Sequence, residues 1–108
     1  MSSLFADYWR EKGHFIAETD QGFMSAIIHS DTCYVDNFYV RPESRGTNLA
    51  FRLTLQVIEH AKNQGCTMFA ADVYKSDPMY NYNVDLHKHF GMEIIADTDL
   101  KTTTSKRI

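Results

Sequence analysis

Val40-Arg-Pro-Glu-Ser-Arg-Gly-Thr-Asn-Leu-Ala50 runs from the end of an apolar strand directly into an amphipathic helix. Pro42 turns the chain, Gly46 tightens the turn, and a helix opens at Thr47 or Asn48. The first turn of a helix leaves backbone N–H groups unpaired, and the positive end of its macrodipole adds to them. An anion is therefore expected at this junction. Arg45 stands just before the helix, Arg41 and Arg52 are close in sequence, and Ala50 is small enough to let a ligand approach. Together they suggest a ligand of pyrophosphate size. The plainer alternative is that Gly46 makes a turn, Thr47 caps the helix and the arginines are solvated surface groups.

The elements to either side follow from periodicity. Upstream, Leu4, Phe5, Tyr8 and Trp9 share one face of a short helix stopped by Gly13. Apolar-rich runs at 15–18 and 23–28 are joined by Thr19-Asp-Gln-Gly22, a hairpin signal, and a third run covers 33–40. These are expected to be three antiparallel strands. Downstream, Ala50, Leu53, Val57, Ile58 and Ala61 recur at helical spacing until Gln64-Gly65. A β-capable run at 67–74 lies between helical segments, so it is expected to pair parallel to the strand before the loop, through a crossover. A second helix is expected over 80–89, stopped at Gly91, then a buried strand at 92–96 and a last, polar strand near 103–108 at a sheet edge. The fold class is α/β with a mixed, mostly antiparallel sheet.

The 108 residues, 44% hydrophobic with a net charge of −3, suit one domain over residues 1–108 with one core. No apolar run approaches the ~20 residues of a membrane helix, and the start lacks the regions of a signal peptide, so a cytoplasmic protein is expected. Lys101, Lys106 and Arg107 form a small basic cluster only, which argues against a nucleic-acid surface. Cys33 and Cys66 have no metal or disulfide spacing and read as buried free thiols. His87 and His89 would share a face on a strand but not on a helix, so no metal is expected. The rings of Tyr34, Phe38, Tyr39, Phe69 and Tyr74 read as a sheet core with amphipathic rims.

Arg45-Gly-Thr-Asn48-Leu-Ala50, after an apolar strand and Val40-Arg-Pro-Glu, resembles the Arg/Gln-x-x-Gly-x-Gly/Ala signature of the GCN5-related N-acetyltransferases. The element order is similar to that family's core over about residues 14–100. Position 48 departs from the pattern, with Asn where the family has Gly; Asn tolerates the left-handed region better than most residues. The resemblance implies acetyl-CoA as co-substrate, with its phosphates at Arg45, Gly46, Thr47, Asn48, Leu49 and Ala50. It further implies that the strands at 33–40 and 67–74 splay apart and that the pantetheine arm enters between them, beside Phe38, Tyr39, Val40 and Asn83. Relatives usually carry a longer N-terminal segment over the acceptor; here only residues 1–13 precede the core, which implies an open acceptor side.

Acetylating an amine of pKa ~10.4 at neutral pH needs a proton acceptor, a polarised thioester carbonyl and a proton for the departing thiolate. Asp36, on the strand into the loop, is placed by the resemblance close to the family's acidic base; a structural, hydrogen-bonded Asp is the alternative, and Asp72 is a weaker candidate base. A backbone N–H near Val40 would polarise the carbonyl. Glu43 reads as a loop or capping residue. The family's Leu-Tyr-x-x-x-Gly-Phe pattern corresponds to Leu86-His87-Lys-His-Phe-Gly91-Met92, so His87 replaces the usual Tyr as proton donor. Tyr80 and Tyr82 compete for that role, and all three could simply pack the helix on the sheet. Asn81 reads as a cap or cleft residue, as does Asn83.

The expected activity is N-acetylation of a primary amine by direct attack in a ternary complex, on a small molecule or on a protein lysine or terminus. The alternative is an acetyltransferase-like interaction protein with weakened catalysis, suggested by Asn48 and His87. The edge strand makes pairing into a homodimer an expectation as well.

Overall fold

The computed structural model describes residues 3–108. Its order is α1 (Leu4–Glu11), β1 (Phe15–Thr19), β2 (Gly22–His29), β3 (Thr32–Val40), a 3-10 turn (Pro42–Ser44), α2 (Leu49–Asn63), β4 (Met68–Tyr74), α3 (Tyr80–His89), β5 (Glu93–Asp97) and β6 (Lys101–Arg107). The strands form one six-stranded sheet in the order β1-β2-β3-β4-β6-β5. Among the described residues only β3 and β4 pair in parallel, joined by the α2 crossover; the other neighbours are antiparallel. The mixed, mostly antiparallel sheet is therefore as the sequence implies. Among the described residues no helix is long and apolar enough to cross a membrane.

α2 carries Leu49, Ala50, Leu53, Val57 and Ala61 inward at spacings of one to four residues, over Ala17, Met24, Ala26, Cys33 and Phe69 of the sheet. Leu53 and Val57 are wholly buried, a burial that contributes roughly 1.5–3 kcal/mol for each side chain. The Phe51 and Phe90 rings stack 5.7 Å apart, which ties α2 to the end of α3. Ser3 caps α1 by accepting from the Ala6 N–H at 3.0 Å. Gly22 admits no side chain, because a Cβ there would lie 2.6 Å from the Tyr39 carbonyl oxygen.

Several expectations need correction. β5 is the outer strand and every one of its residues is exposed, so 92–96 is not a buried strand; only Met92, just before it, is buried. β6 lies inside the sheet, between β4 and β5, with Thr102, Thr104 and Ser105 buried. Its polar composition reflects hydroxyls that find partners inside, not an edge. On α1 the apolar face is only partly used: Leu4 and Tyr8 are exposed, and Ala6 is the buried residue. The aromatic set divides as expected, with Phe69 in the core, Phe38 packed against it, and Tyr34, Tyr39 and Tyr74 exposed at the rim. Cys33 and Cys66 are buried free thiols, as expected.

Candidate active site

β3 and β4 pair only from Thr32↔Met68 to Val35↔Ala71. β3 then continues with β2 as far as Val40, while β4 continues with β6 as far as Tyr74, so the two strands part. The gap is a cleft of about 550 Å³ lined by Val35, Asp36, Asp72, Asn83 and His87 among others. A smaller hollow of about 290 Å³ shares Phe38, Asp77 and Asn83 with it and adds Tyr39, Val40, Arg45 and Tyr82. The cleft thus leads towards the loop before α2.

In that loop Gly46 has φ +81°, a left-handed conformation that favours glycine. Asn48 has φ −86°, so the helix start needs no positive φ at this position, and α2 begins one residue later, at Leu49. Thr47 Oγ donates to the Ser44 carbonyl at 2.6 Å and accepts from the Leu49 N–H at 3.3 Å. Arg52 N–H reaches the Asn48 carbonyl. The N–H groups of Gly46, Thr47, Asn48, Ala50 and Phe51 have no partner among the described residues. Unpaired N–H groups at a loop and helix N-terminus are the kind of donor set that can receive an anion.

Arg45 donates from Nε to the Val40 carbonyl at 3.0 Å and lies over the Tyr39 ring. Arg41 is different: its Nε donates to the Asp20 carbonyl on the β1–β2 hairpin at 2.8 Å, which removes it from the loop. Because Arg41 N–H bonds to Gln21 on the β2 side, the alternation of a strand turns the N–H groups of Val40 and Phe38 towards the gap.

Asp36 is the extra residue of a β-bulge, since Ser25 pairs with Asn37 and Ala26 with Val35. Its Oδ1 accepts from the buried Ser25 hydroxyl at 2.5 Å, and its Oδ2 lies 2.7 Å from His14 Nδ1, off the line of a straight hydrogen bond. His14 in turn meets the edge of the Trp9 ring of α1. Asp72 accepts from Thr103 at 2.6 Å and Lys101 at 3.0 Å. Burial pushes its carboxyl up, but these hydrogen bonds outweigh burial and hold it below the ordinary range, which makes it a poor proton acceptor.

His87 lines the cleft, and its Nδ1 is 2.8 Å from the Thr104 hydroxyl of β6; burial pushes its pKa down. Tyr82 lines the smaller hollow and not the main cleft, so Asp36 and His87 share a cavity that Tyr82 only borders. Tyr80 is engaged elsewhere, its hydroxyl 2.6 Å from Thr102 Oγ. Asn83 lines both hollows; Asn81 is exposed and lines neither. Glu43 is exposed in the 3-10 turn. His14, Ser25, Asp77 and Thr104 were not singled out by sequence, because each reaches the site across strands or loops that no local pattern connects.

The model of the acetyltransferase (GNAT) family matches residues 1–92. The chain belongs to that family. Among solved structures, the PaiA N-acetyltransferase of Thermoplasma acidophilum, determined in complex with coenzyme A, is similar at 15% identity and TM-score 0.82, over 97% of this chain and 69% of that one. Ard1 of Thermoplasma volcanium is similar at 17% identity and TM-score 0.76, over 97% of this chain and 78% of that one. The ribosomal-protein-alanine N-acetyltransferase of Brucella melitensis gives 16% and 0.70, over 96% and 75%. At these identities the likeness is one of fold. No curated protein matches the sequence. β3 and β4 part here as the resemblance to that family implies.

Proposed function

We propose that this chain is an acetyl-CoA-dependent N-acetyltransferase that transfers the acetyl group to a primary amine by direct attack while both substrates are bound. The observation that carries the reading is the set of unpartnered amides of Gly46, Thr47, Asn48, Ala50 and Phe51, in the loop whose Arg45 lines the hollow next to the β3/β4 cleft. These amides, with Arg45, Thr47 and Leu49 around them and Ala50 giving close access, would hold the pyrophosphate of acetyl-CoA. The free strand edge from Phe38 through Tyr39 to Val40, with Asn83 opposite, would hold the pantetheine arm. Acetyl-CoA would supply an activated thioester whose sulfur leaves as a thiolate.

Asp36 removes a proton from the incoming ammonium, and Ser25 and His14 keep its carboxylate in place. The Val40 N–H polarises the acyl oxygen. His87 is the proton donor to sulfur, with Tyr82 at the hollow as the second candidate. Direct attack fits the cysteines: Cys33 and Cys66 are both buried, and burial pushes the Cys33 thiol up to about 11, so neither is a ready acyl carrier. α1 reaches the Asp36 end of the cleft through Trp9 and His14 and exposes Leu4 and Tyr8, an apolar surface on which a protein carrying the amine could dock.

The test is calorimetric titration with acetyl-CoA and CoA, of this protein and of its Arg45→Glu variant. Binding that is lost in the variant is expected. No binding by the unaltered protein would overturn the enzyme reading in favour of an interaction module.

A further inference from the structure

The Thr104 hydroxyl is fully buried beneath the cleft and has three neighbours: His87 Nδ1 at 2.8 Å, the Ala71 carbonyl oxygen at 3.4 Å and the Met92 sulfur at 3.8 Å. A hydroxyl has one proton to give, and a carbonyl oxygen and a thioether can only accept. The arrangement that satisfies most contacts has Thr104 donating towards Ala71 and Met92 while accepting from His87 Nδ1–H. The other ring nitrogen, Nε2, has no partner among the described residues, and in this tautomer it carries a lone pair.

A primary ammonium must shed two protons on becoming an amide. The first leaves before attack, when the ammonium becomes a nucleophile, and Asp36 serves that step. The second leaves the nitrogen after it has bonded to the acyl carbon, and the departing sulfur needs one proton in return. We infer that Thr104 fixes neutral His87 with its proton on Nδ1, making Nε2 a shuttle that takes this second proton from the acceptor nitrogen and delivers it to the sulfur. The inference rests on the acetyltransferase reading and deepens it. In the first half an N–H bond of the acceptor breaks and Nε2–H forms, leaving an imidazolium; in the second, Nε2–H breaks and S–H forms, restoring the neutral ring. One residue thereby serves as base and then acid, with no proton drawn from solvent for this exchange. Thr104 is the positioning residue.

The surroundings suit a ring that rests neutral. Burial alone accounts for the direction of its pKa shift. The titratable groups that share its cleft are Tyr34 and Asp36 on β3, Asp72 and Tyr74 on β4 and Asp77 in the next loop. On β6, Lys101 is bound to Asp72 and Lys106 to the Phe90 carbonyl. Asp85, Lys88 and His89 are its neighbours on α3.

The decisive measurement is the nitrogen-15 spectrum of imidazole-labelled protein without ligand, at a pH where His87 is neutral, with the resonance assigned by His87→Gln. The expected result is the Nδ1–H tautomer in the unaltered protein and in Thr104→Ser, and a shift towards Nε2–H in Thr104→Val. Transfer to cadaverine and to a peptide with a free amino terminus is measured alongside. In Thr104→Val, kcat is expected to fall roughly tenfold or more while the KM for acetyl-CoA stays within about twofold, and Thr104→Ser is expected to retain activity. An Nε2–H tautomer in the unaltered protein overturns the inference, and needs no variant to fold. So does unchanged kcat in a folded Thr104→Val. Failure to bind acetyl-CoA by calorimetry would instead remove the acetyltransferase reading, and the shuttle with it, while leaving the tautomer result as it is.

Discussion

His14 Nδ1 stands 2.7 Å from Asp36 Oδ2, linking the loop after α1 to the bulged residue that faces the cleft. With the Ser25 hydroxyl on the other carboxylate oxygen, this contact fixes the candidate proton acceptor from two sides. Asp36→Asn keeps the shape but removes the proton-accepting charge. It is expected to lower kcat by about 10²–10⁴ with acetyl-CoA affinity unchanged, read by steady-state kinetics and calorimetry. Ser25→Ala removes one buried hydrogen bond and is expected to cost about 1–2 kcal/mol in urea unfolding, with a smaller loss of kcat. Equal activity of Asp36→Asn and the unaltered protein would reassign Asp36 to a structural role.

The loop before α2 makes a second, asymmetric prediction. Gly46 is left-handed with open space where a Cβ would go, so Gly46→Ala meets no clash but pays backbone strain of about 1–2 kcal/mol. Its melting temperature and its acetyl-CoA affinity are expected to fall together. Asn48 has ordinary backbone angles and makes no side-chain cap, so Asn48→Gly, which restores the family's residue, is expected to change stability by only a few tenths of a kcal/mol. A large rise in acetyl-CoA affinity in Asn48→Gly would show that the Asn side chain obstructs the ligand.

His87 makes stability depend on pH in a defined window. Its folded-state pKa lies below the ordinary value of 6.5 because burial disfavours the charged ring. Between those two values the unfolded chain binds a proton that the folded chain does not, so stability falls as pH drops below about 6.5 and levels off below the folded pKa. Above 6.5 the ring is neutral in both states and contributes no slope. Urea midpoints at pH 7.5, 6.0 and 5.0 are expected to fall less in His87→Gln than in the unaltered protein. Parallel curves for the two proteins would mean that the ring is solvated.

Most of the element order was legible because its signals are local: helical spacing from Ala50 to Ala61, the Thr19–Gly22 turn and the run before Pro42 each sit within a few residues. α3 falls at 80–89, where the pattern places it. Partners across the sheet were less legible. β6 reads as an edge strand because Thr102, Thr104 and Ser105 are polar, yet all three are buried, and the hydroxyls of two find acceptors on the neighbouring strands, Asp97 of β5 for Thr102 and the Ala71 carbonyl of β4 for Thr104. β5 reads as core because it is apolar, and is exposed along its whole length as the outermost strand of the sheet. The same limit applies at the site: the turn into α2 is contiguous and was readable, whereas the His14–Asp36 and His87–Thr104 pairs join residues 22 and 17 positions apart.

The uncovered outer strand leads to the last prediction. β5 pairs on one side only, and Ile95 is its bulged residue, since Ile94 pairs with Thr104 and Ala96 with Thr103. A bulge spoils the ladder that another strand would need, and Glu93 and Asp97 would face each other's like charges in an antiparallel pair of copies. Self-association through this end therefore depends on side chains, and Ile94, Ile95 and Leu100 are exposed there by 48%, 60% and 60%. The expectation of a homodimer rests on the polar C-terminal strand as the edge, but β6 is internal and β5 is the edge. If the protein pairs through β5 instead, sedimentation velocity over a concentration series will show a dimer that Ile95→Lys with Leu100→Lys converts to monomer. Both positions are already in solvent, so the double variant is expected to keep its stability to within about 1 kcal/mol, at roughly 0.5 kcal/mol for each change. A dimer that survives both changes would place the interface elsewhere, and a protein that is monomeric throughout would remove the homodimer altogether.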